Sequence, residues 1–195
     1  TDKYKWAWRP RGTPLTFPFI WGWKGWQDGW VNKKIQRNYL EINSLSELNE
    51  SKIVEEGYSI KLVEPVDFQL NKFFYKNVGK NHHWVDRLVW TEKQWTEYVS
   101  NKKVKTYILK KQDDLAGYFE LILHQNEIEI AYLGLLEEYQ NKKLGSFLLS
   151  SAIKNSFSYQ TKRVWVHTCS LDHKNALNNY ISRGMKIFKK ETVTI

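Results

Sequence analysis

The chain has 195 residues, 42% of them hydrophobic and 15% aromatic, enough for one well-packed domain with an extension. A net charge of +9 suits a polyphosphate ligand or a nucleic acid, and no RNP, zinc-finger or helix-turn-helix pattern supports the second. A single Cys excludes an intrachain disulfide and fits a reducing compartment, while no apolar run is long enough to span a bilayer and no signal-peptide pattern is visible.

The expected location is therefore cytoplasmic. Because the chain starts at Thr1 rather than Met, an organelle reached after removal of a targeting segment stays open. The basic excess is uneven: residues 1–57 carry nine Lys/Arg against seven Asp/Glu, and the remainder twenty-one against fourteen.

Residues 1–30 hold six of the ten Trp, three of the four Pro and four of the ten Gly. Proline and glycine break every helical or strand period, so an irregular arm is expected. Six exposed Trp would be an aggregation hazard, so the arm should pack on the domain, on a protein partner or across a homodimer. Residues 31–57 read as a polar connection holding one short strand or helix, Ile35 to Ile42, and a helical turn near Leu45 to Leu48. The domain division expected is thus an arm and linker over 1–57 and a catalytic domain over 58–195.

From Tyr58 the signals sharpen. Tyr58, Ile60 and Leu62 alternate with polar neighbours as a strand that Pro65 ends. Asp67 is placed as an N-cap, and Leu70, Phe73, Phe74 and Val78 recur at helical spacing up to Gly79. Residues 80–90 form a loop with His82, His83 and Trp84. Thr91 and Gln94 fit a capping box that opens a helix to Val99. Strands are expected over 104–111, 115–123 and from 127, the first two joined by a turn at Gln112-Asp113-Asp114.

The stretch 127–156 is a strand, a polar loop and a helix. Glu127, Glu129, Ala131, Leu133 and Leu135 should share one strand face, and Ile128, Ile130 and Tyr132 the other. Gly134 marks a bulge or a close backbone approach. From Leu144 the period becomes helical, with Leu148 and Ala152 following. A loop entering a helix offers unpaired N–H groups and a positive dipole end, and Lys142 and Lys143 add charge. A phosphate cradle and an ordinary strand-to-helix turn with a solvated lysine pair both fit these residues.

Residues 163–169 are a strand rich in β-formers. Asp172 is placed as the cap of a last helix with Ala176, Leu177, Tyr180 and Ile181 on its apolar stripe, ended by Gly184. A final strand runs from Met185. The order from residue 58 is β-α-α-β-β-β-α-β-α-β.

The loop before Leu144 resembles the acetyl-CoA motif of the GNAT superfamily of acyl-CoA N-acyltransferases, Gln/Arg-x-x-Gly-x-Gly/Ala. Gln140 and Gly145 match it, and Lys143 stands where the family usually has glycine. The block Ala176 to Met185 resembles the family's C-terminal signature, with Met185 where Phe is usual. The element order is the one expected of GNAT domains. The fold implied is α/β (α+β), a mixed and mostly antiparallel sheet flanked by helices, with the Trp-rich extension in front.

The resemblance implies acetyl-CoA as cosubstrate, no metal, and an amine as acceptor, either a small molecule or a protein amine. It puts the backbone of Leu133 and Leu135 along the pantetheine arm, and Gln140, Asn141, Lys142, Lys143, Leu144, Gly145 and Ser146 around the pyrophosphate. His173 falls where many members have a cofactor-contacting Asn. Glu129 matches the glutamate base of protein-acetylating relatives, with Glu120 as second choice and His167 as third. Tyr180 matches the tyrosine that faces the CoA sulfur. Cys169 is expected to be buried and inert, and His82-His83 lacks the partners of a metal site. The activity implied is N-acetyl transfer by direct attack in a ternary complex. A catalytically weak GNAT-like subunit of a larger assembly is the alternative.

Overall fold

The computed structural model describes residues 34–53 and 55–194. The Trp-rich arm expected over 1–30 lies outside the described residues. Seven strands form one sheet: β1 (Lys34–Ile42), β2 (Tyr58–Leu62), β3 (Val104–Lys111), β4 (Asp114–Leu123), β5 (Glu127–Leu135), β6 (Arg163–Cys169) and β7 (Lys186–Thr194). Among the described residues four α-helices join the sheet: α1 (Phe68–Gly79), α2 (Glu92–Val99), α3 (Leu144–Ser158) and α4 (Ala176–Ser182). The strand order is β2-β3-β4-β5-β6-β1-β7, antiparallel throughout except for β5 and β6.

Local chemistry places the helix ends. The Asp67 carboxylate accepts from the Gln69 N–H at 2.9 Å and starts α1. The Thr91 hydroxyl accepts from the Gln94 N–H while the Gln94 side chain accepts from the Thr91 N–H, a complete capping box for α2. Gly184 follows α4 at φ +105°, and a Cβ there would stand 2.1 Å from the Glu47 carbonyl. Only glycine meets both conditions.

The sheet is covered on both sides. Leu148, Leu149, Ala152 and Ile153 of α3 pack with Leu121, Ile130 and Val164 into the larger core. On the opposite side Phe74, Tyr75 and Val78 of α1 and Trp95 of α2 pack over Ile108 and Tyr118.

Four expectations are corrected. First, the short strand or helix expected over Ile35 to Ile42 is a nine-residue strand, 34–42, and it is not part of a polar connection but an inner strand of the sheet, paired with both β6 and β7. Second, the β4–β5 ladder pairs Leu121 with Ile130 but Glu120 with Tyr132, leaving Ala131 as an extra residue. This bulge reverses the alternation, so Leu133 and Leu135 lie on the face of Ile128 and Ile130, and Tyr132 and Gly134 lie on the face of Glu129. Third, Asp172 does not cap α4: its carboxylate accepts from the Thr168 hydroxyl and the Cys169 N–H, closing the turn after β6. Fourth, Ile181 is exposed rather than part of the apolar stripe of α4.

Candidate active site

The site is defined by where two strands part. β5 and β6 run parallel and pair over only three residues, Glu127 with Arg163, Ile128 with Val164 and Glu129 with Trp165. Beyond that rung β5 continues to Leu135 and β6 to Cys169 without pairing with each other. Parallel strands normally stay in ladder register, so this parting opens a slot between two backbones in the middle of the sheet. Leu133 and Leu135 lie on β5 along the slot.

The chain leaves the slot through a 3-10 turn at Glu137–Tyr139 and enters α3. Lys143, at the N-cap, is left-handed with φ 60° and ψ 8°, and its side chain makes no capping hydrogen bond. Asn141 also has φ 60°. Two left-handed residues in three turn the chain sharply and leave the first N–H groups of α3 without a side-chain cap. Gly145 follows in the first turn. A Cβ there would meet no protein atom closer than 3.8 Å, so the glycine leaves a shallow cradle beside the helix end. The Asn179 side chain of α4 donates to the Gly145 carbonyl at 3.1 Å and accepts from the Ser146 hydroxyl at 3.0 Å, tying the first turn of α3 to α4. Gln140, Lys142 and Lys143 ring this helix end, the two lysines exposed.

The left-handed Lys143 gives the first prediction. A non-glycine residue in this region costs about 1–2 kcal/mol, and glycine returns part of that gain through its freer unfolded chain. Lys143→Gly is expected to stabilise the fold by about 0.5–1 kcal/mol, whereas Lys143→Ala, which keeps the Cβ, gives no comparable gain. Urea unfolding of the three proteins measures the difference.

Glu129 stands on the last rung before the strands part and is 9% exposed. Its nearest basic neighbour is His124, with Nε2 3.9 Å from Oε2. Across the slot mouth, the loop between α1 and α2 reaches the loop between β6 and α4: the ring of His82 lies 6.2 Å from that of His173. Burial lowers the His82 pKa, against a smaller opposing effect from Asp172. The Trp84 ring stands edge-on to Tyr132, centroids 4.8 Å apart. Gly134 lets α1 approach here, since a Cβ would stand 2.2 Å from the Val78 side chain. His173 accepts from the Asn175 N–H through Nδ1. Tyr180 is 8% exposed, within the larger core at α4.

The structure separates the two other candidate bases from this place. Glu120 is fully buried and already accepts three hydrogen bonds: Asn71 at 2.7 Å, Tyr98 at 2.8 Å and Arg87 at 2.9 Å. A carboxylate held this way is a structural anion. His167 belongs to a ring cluster with Tyr39 of the neighbouring β1 and Trp165 of its own strand. Cys169, expected to be buried, is of intermediate exposure. Among the described residues no group of His, Cys, Asp and Glu is arranged to hold a metal ion.

The Arg87 network escaped sequence reasoning altogether. Arg87 lies in an irregular loop, yet it is 6% exposed, with its guanidinium 4.0 Å from the Tyr98 ring centroid and 4.3 Å from that of Tyr132. The one available signal was an arginine amid aromatics, Trp84, Trp90, Trp95 and Tyr98.

Comparison with known proteins bears on the family and the fold. The family model described as the acetyltransferase (GNAT) family matches residues 68–185. A GCN5-related N-acetyltransferase from Sphaerobacter thermophilus superposes with a TM-score of 0.65 at 12% identity, covering 84% of this chain and 51% of that one. One from Kribbella flavida gives 0.61 at 11% identity, covering 84% and 60%. An aminoglycoside acetyltransferase from an uncultured soil sample, solved with trehalose, gives 0.57 at 12% identity, covering 67% and 90%. The chain thus spans between half and two thirds of the first two structures. No curated protein matches it. The model match covers more than half of the chain, and the solved structures share its fold: the chain belongs to the acetyltransferase (GNAT) family.

Proposed function

We propose that this chain is an N-acetyltransferase that moves the acetyl group of acetyl-CoA to a primary amine by direct attack in a ternary complex. The observation that carries the proposal is the parting of β5 from β6 after Glu129, with the slot running to an uncapped helix end whose lysine is left-handed. Acetyl-CoA supplies the activated thioester. Its pyrophosphate fits the N–H groups of residues 141–146, with Gln140, Lys142 and Lys143 around them, and the bare face of Gly145 leaves room for a close backbone approach. The backbone of Leu133 and Leu135 would hold the pantetheine arm, with His173 at the opposite wall.

An amine attacks only as the free base. Glu129 is assigned the removal of its proton, because it is buried at the closed end of the slot and, unlike Glu120, is not held by three donors. Tyr180 is assigned the protonation of the leaving thiolate. The acceptor class is a small amine, an amino sugar or a protein amine, entering from the side of α1 and α2.

Acetyl-CoA titrated into the full chain in a calorimeter tests this. Micromolar binding is expected, weakened by Gln140→Ala and by Lys143→Glu, which reverses a charge at the helix end. A folded chain that gives no binding heat overturns the enzyme assignment and leaves the domain as a structural subunit.

A further inference from the structure

Acetyl transfer to a protonated amine leaves one proton to dispose of in each turnover. The amine nitrogen brings three. The amide keeps one, the leaving thiolate takes one, and the third goes to the base. Glu129 must lose that proton before the next cycle, yet it is only 9% exposed and stands at the closed end of the slot. The slot runs from Glu129 toward Leu135, so bound acetyl-CoA lies on that side and the open way out is toward the β4–β5 turn.

That turn carries His124 at a fixed place. The His124 N–H donates to the Glu127 carbonyl at 2.8 Å, which sets the residue beside Glu127 and diagonally across from Glu129. The far side of the turn is held too: the Asn126 carbonyl accepts from the Lys162 N–H and the Thr161 hydroxyl, both at 3.0 Å. Nε2 of His124 lies 3.9 Å from Oε2 of Glu129, buried and with no hydrogen-bond partner among the described residues. The His124 side chain as a whole is 29% exposed, so its ring reaches from the carboxylate to solvent. Glu127, the other carboxylate nearby, is taken by Arg163, whose Nη1 lies 3.2 Å from its Oε2.

We propose that His124 is the proton exit of Glu129, which rests on acetyl transfer being the reaction and on Glu129 being its base. Glu129 takes a proton from the amine nitrogen. A side-chain rotation closes the 3.9 Å gap to hydrogen-bond length, and Nε2 takes the proton from Oε2, restoring the carboxylate. The imidazolium then loses a proton to water through the exposed part of its ring, and exchange with solvent resets the tautomer. An imidazole suits the task because it gains and loses a proton readily near neutral pH. His124 touches neither substrate and acts only through Glu129.

Acetylation of lysine amide, glucosamine and a lysine-bearing peptide by the full chain at neutral pH, paired with acetyl-CoA calorimetry, tests the relay. His124→Ala and His124→Gln are each expected to bind acetyl-CoA within a factor of about two of the parent, which also shows that they fold, and to lower kcat about tenfold. Free imidazole should restore most of the rate of His124→Ala, whose missing ring leaves room for it, and none of the rate of Glu129→Gln. A packing role gives no such rescue. A second readout needs no turnover: the His124 ring resonances of a chain labelled with 15N-histidine should shift on Glu129→Gln. Parent-like kcat in both variants, a deficit that imidazole leaves unchanged, or ring resonances that do not move overturns the relay while the acetyltransferase assignment stands. Loss of acetyl-CoA binding in both variants overturns it as well, making His124 a structural residue. A parent chain that gives no binding heat with acetyl-CoA overturns the assignment and the relay with it.

Discussion

Replacing Glu129 by Gln is expected to lower the acetylation rate at neutral pH by about 10²- to 10³-fold while leaving acetyl-CoA binding within a factor of about two. A lysine-like amine with a pKa near 10.4 is unprotonated in only about 0.04% of molecules at pH 7, so a positioned base supplies much of the rate there. The size of the loss should itself depend on pH. As pH rises toward the amine's own pKa, solvent does the deprotonation and the deficit narrows. A purely structural role for Glu129 predicts a deficit that does not vary with pH and a fall in thermal stability beside it. Glutamine suits the comparison because it keeps the shape of a side chain only 9% exposed and removes only the charge. The check is a pair of pH profiles of kcat/KM, taken with whichever primary amine the parent chain acetylates. Tyr180→Phe tests the other proposed role on the same axes. Losing a thiolate protonation step should lower kcat without raising KM, whereas a packing defect at this 8%-exposed core position should appear in the unfolding curve instead.

The elements legible in the sequence were those whose signals are local. A cap acts across two or three residues, which is why Asp67 and the Thr91–Gln94 box located α1 and α2. The β3–β4 turn and the change of period at Leu144 are equally short-range. β1 was obscured for the opposite reason. Its alternation is readable in Ile35 and Arg37, but the pairing that makes it an inner strand involves residues more than 120 positions later, Val164 to Cys169 and Lys186 to Thr194. The faces of β5 were misread because a bulge has no composition of its own. Ala131 differs in nothing from its neighbours except that no residue of β4 opposes it.

The site was legible in the same uneven way. The Gln140 to Gly145 loop marked the helix end; that Lys143, standing where the family usually has glycine, is left-handed came only from the structure. Where β5 leaves β6 was not readable, because pairing that stops after Glu129 and Trp165 leaves no mark in either strand. Glu120 and Glu129 looked alike as strand glutamates. Only tertiary structure divides them, bringing Asn71, Arg87 and Tyr98 from three separate elements onto one and leaving the other near His124.

Arg87→Ala should destabilise the fold by about 3–5 kcal/mol, a large part of the 5–15 kcal/mol typical of a domain. The cost lies less in the lost attraction than in what stays behind, a fully buried Glu120 carboxylate without its counter-charge. For a chain of this size such a loss lowers the melting temperature by on the order of 10 °C. Arg87→Lys should recover little, since an ammonium lacks the planar, delocalised charge that the guanidinium sets within 4.0 and 4.3 Å of the Tyr98 and Tyr132 ring centroids. The double variant Arg87→Met with Glu120→Leu should be more stable than Arg87→Ala, because it removes both charges together. It should still fall short of the parent. Asn71 keeps a second contact to the Thr106 hydroxyl at 2.8 Å, but the Tyr98 hydroxyl loses its carboxylate acceptor. Chemical unfolding of the two single and the double variants gives the coupling energy. A value near zero would mean that the pair does not hold the α1–α2 loop. A value of several kcal/mol would identify it as the clamp that fixes this loop, and with it His82 and Trp84, across the mouth of the slot.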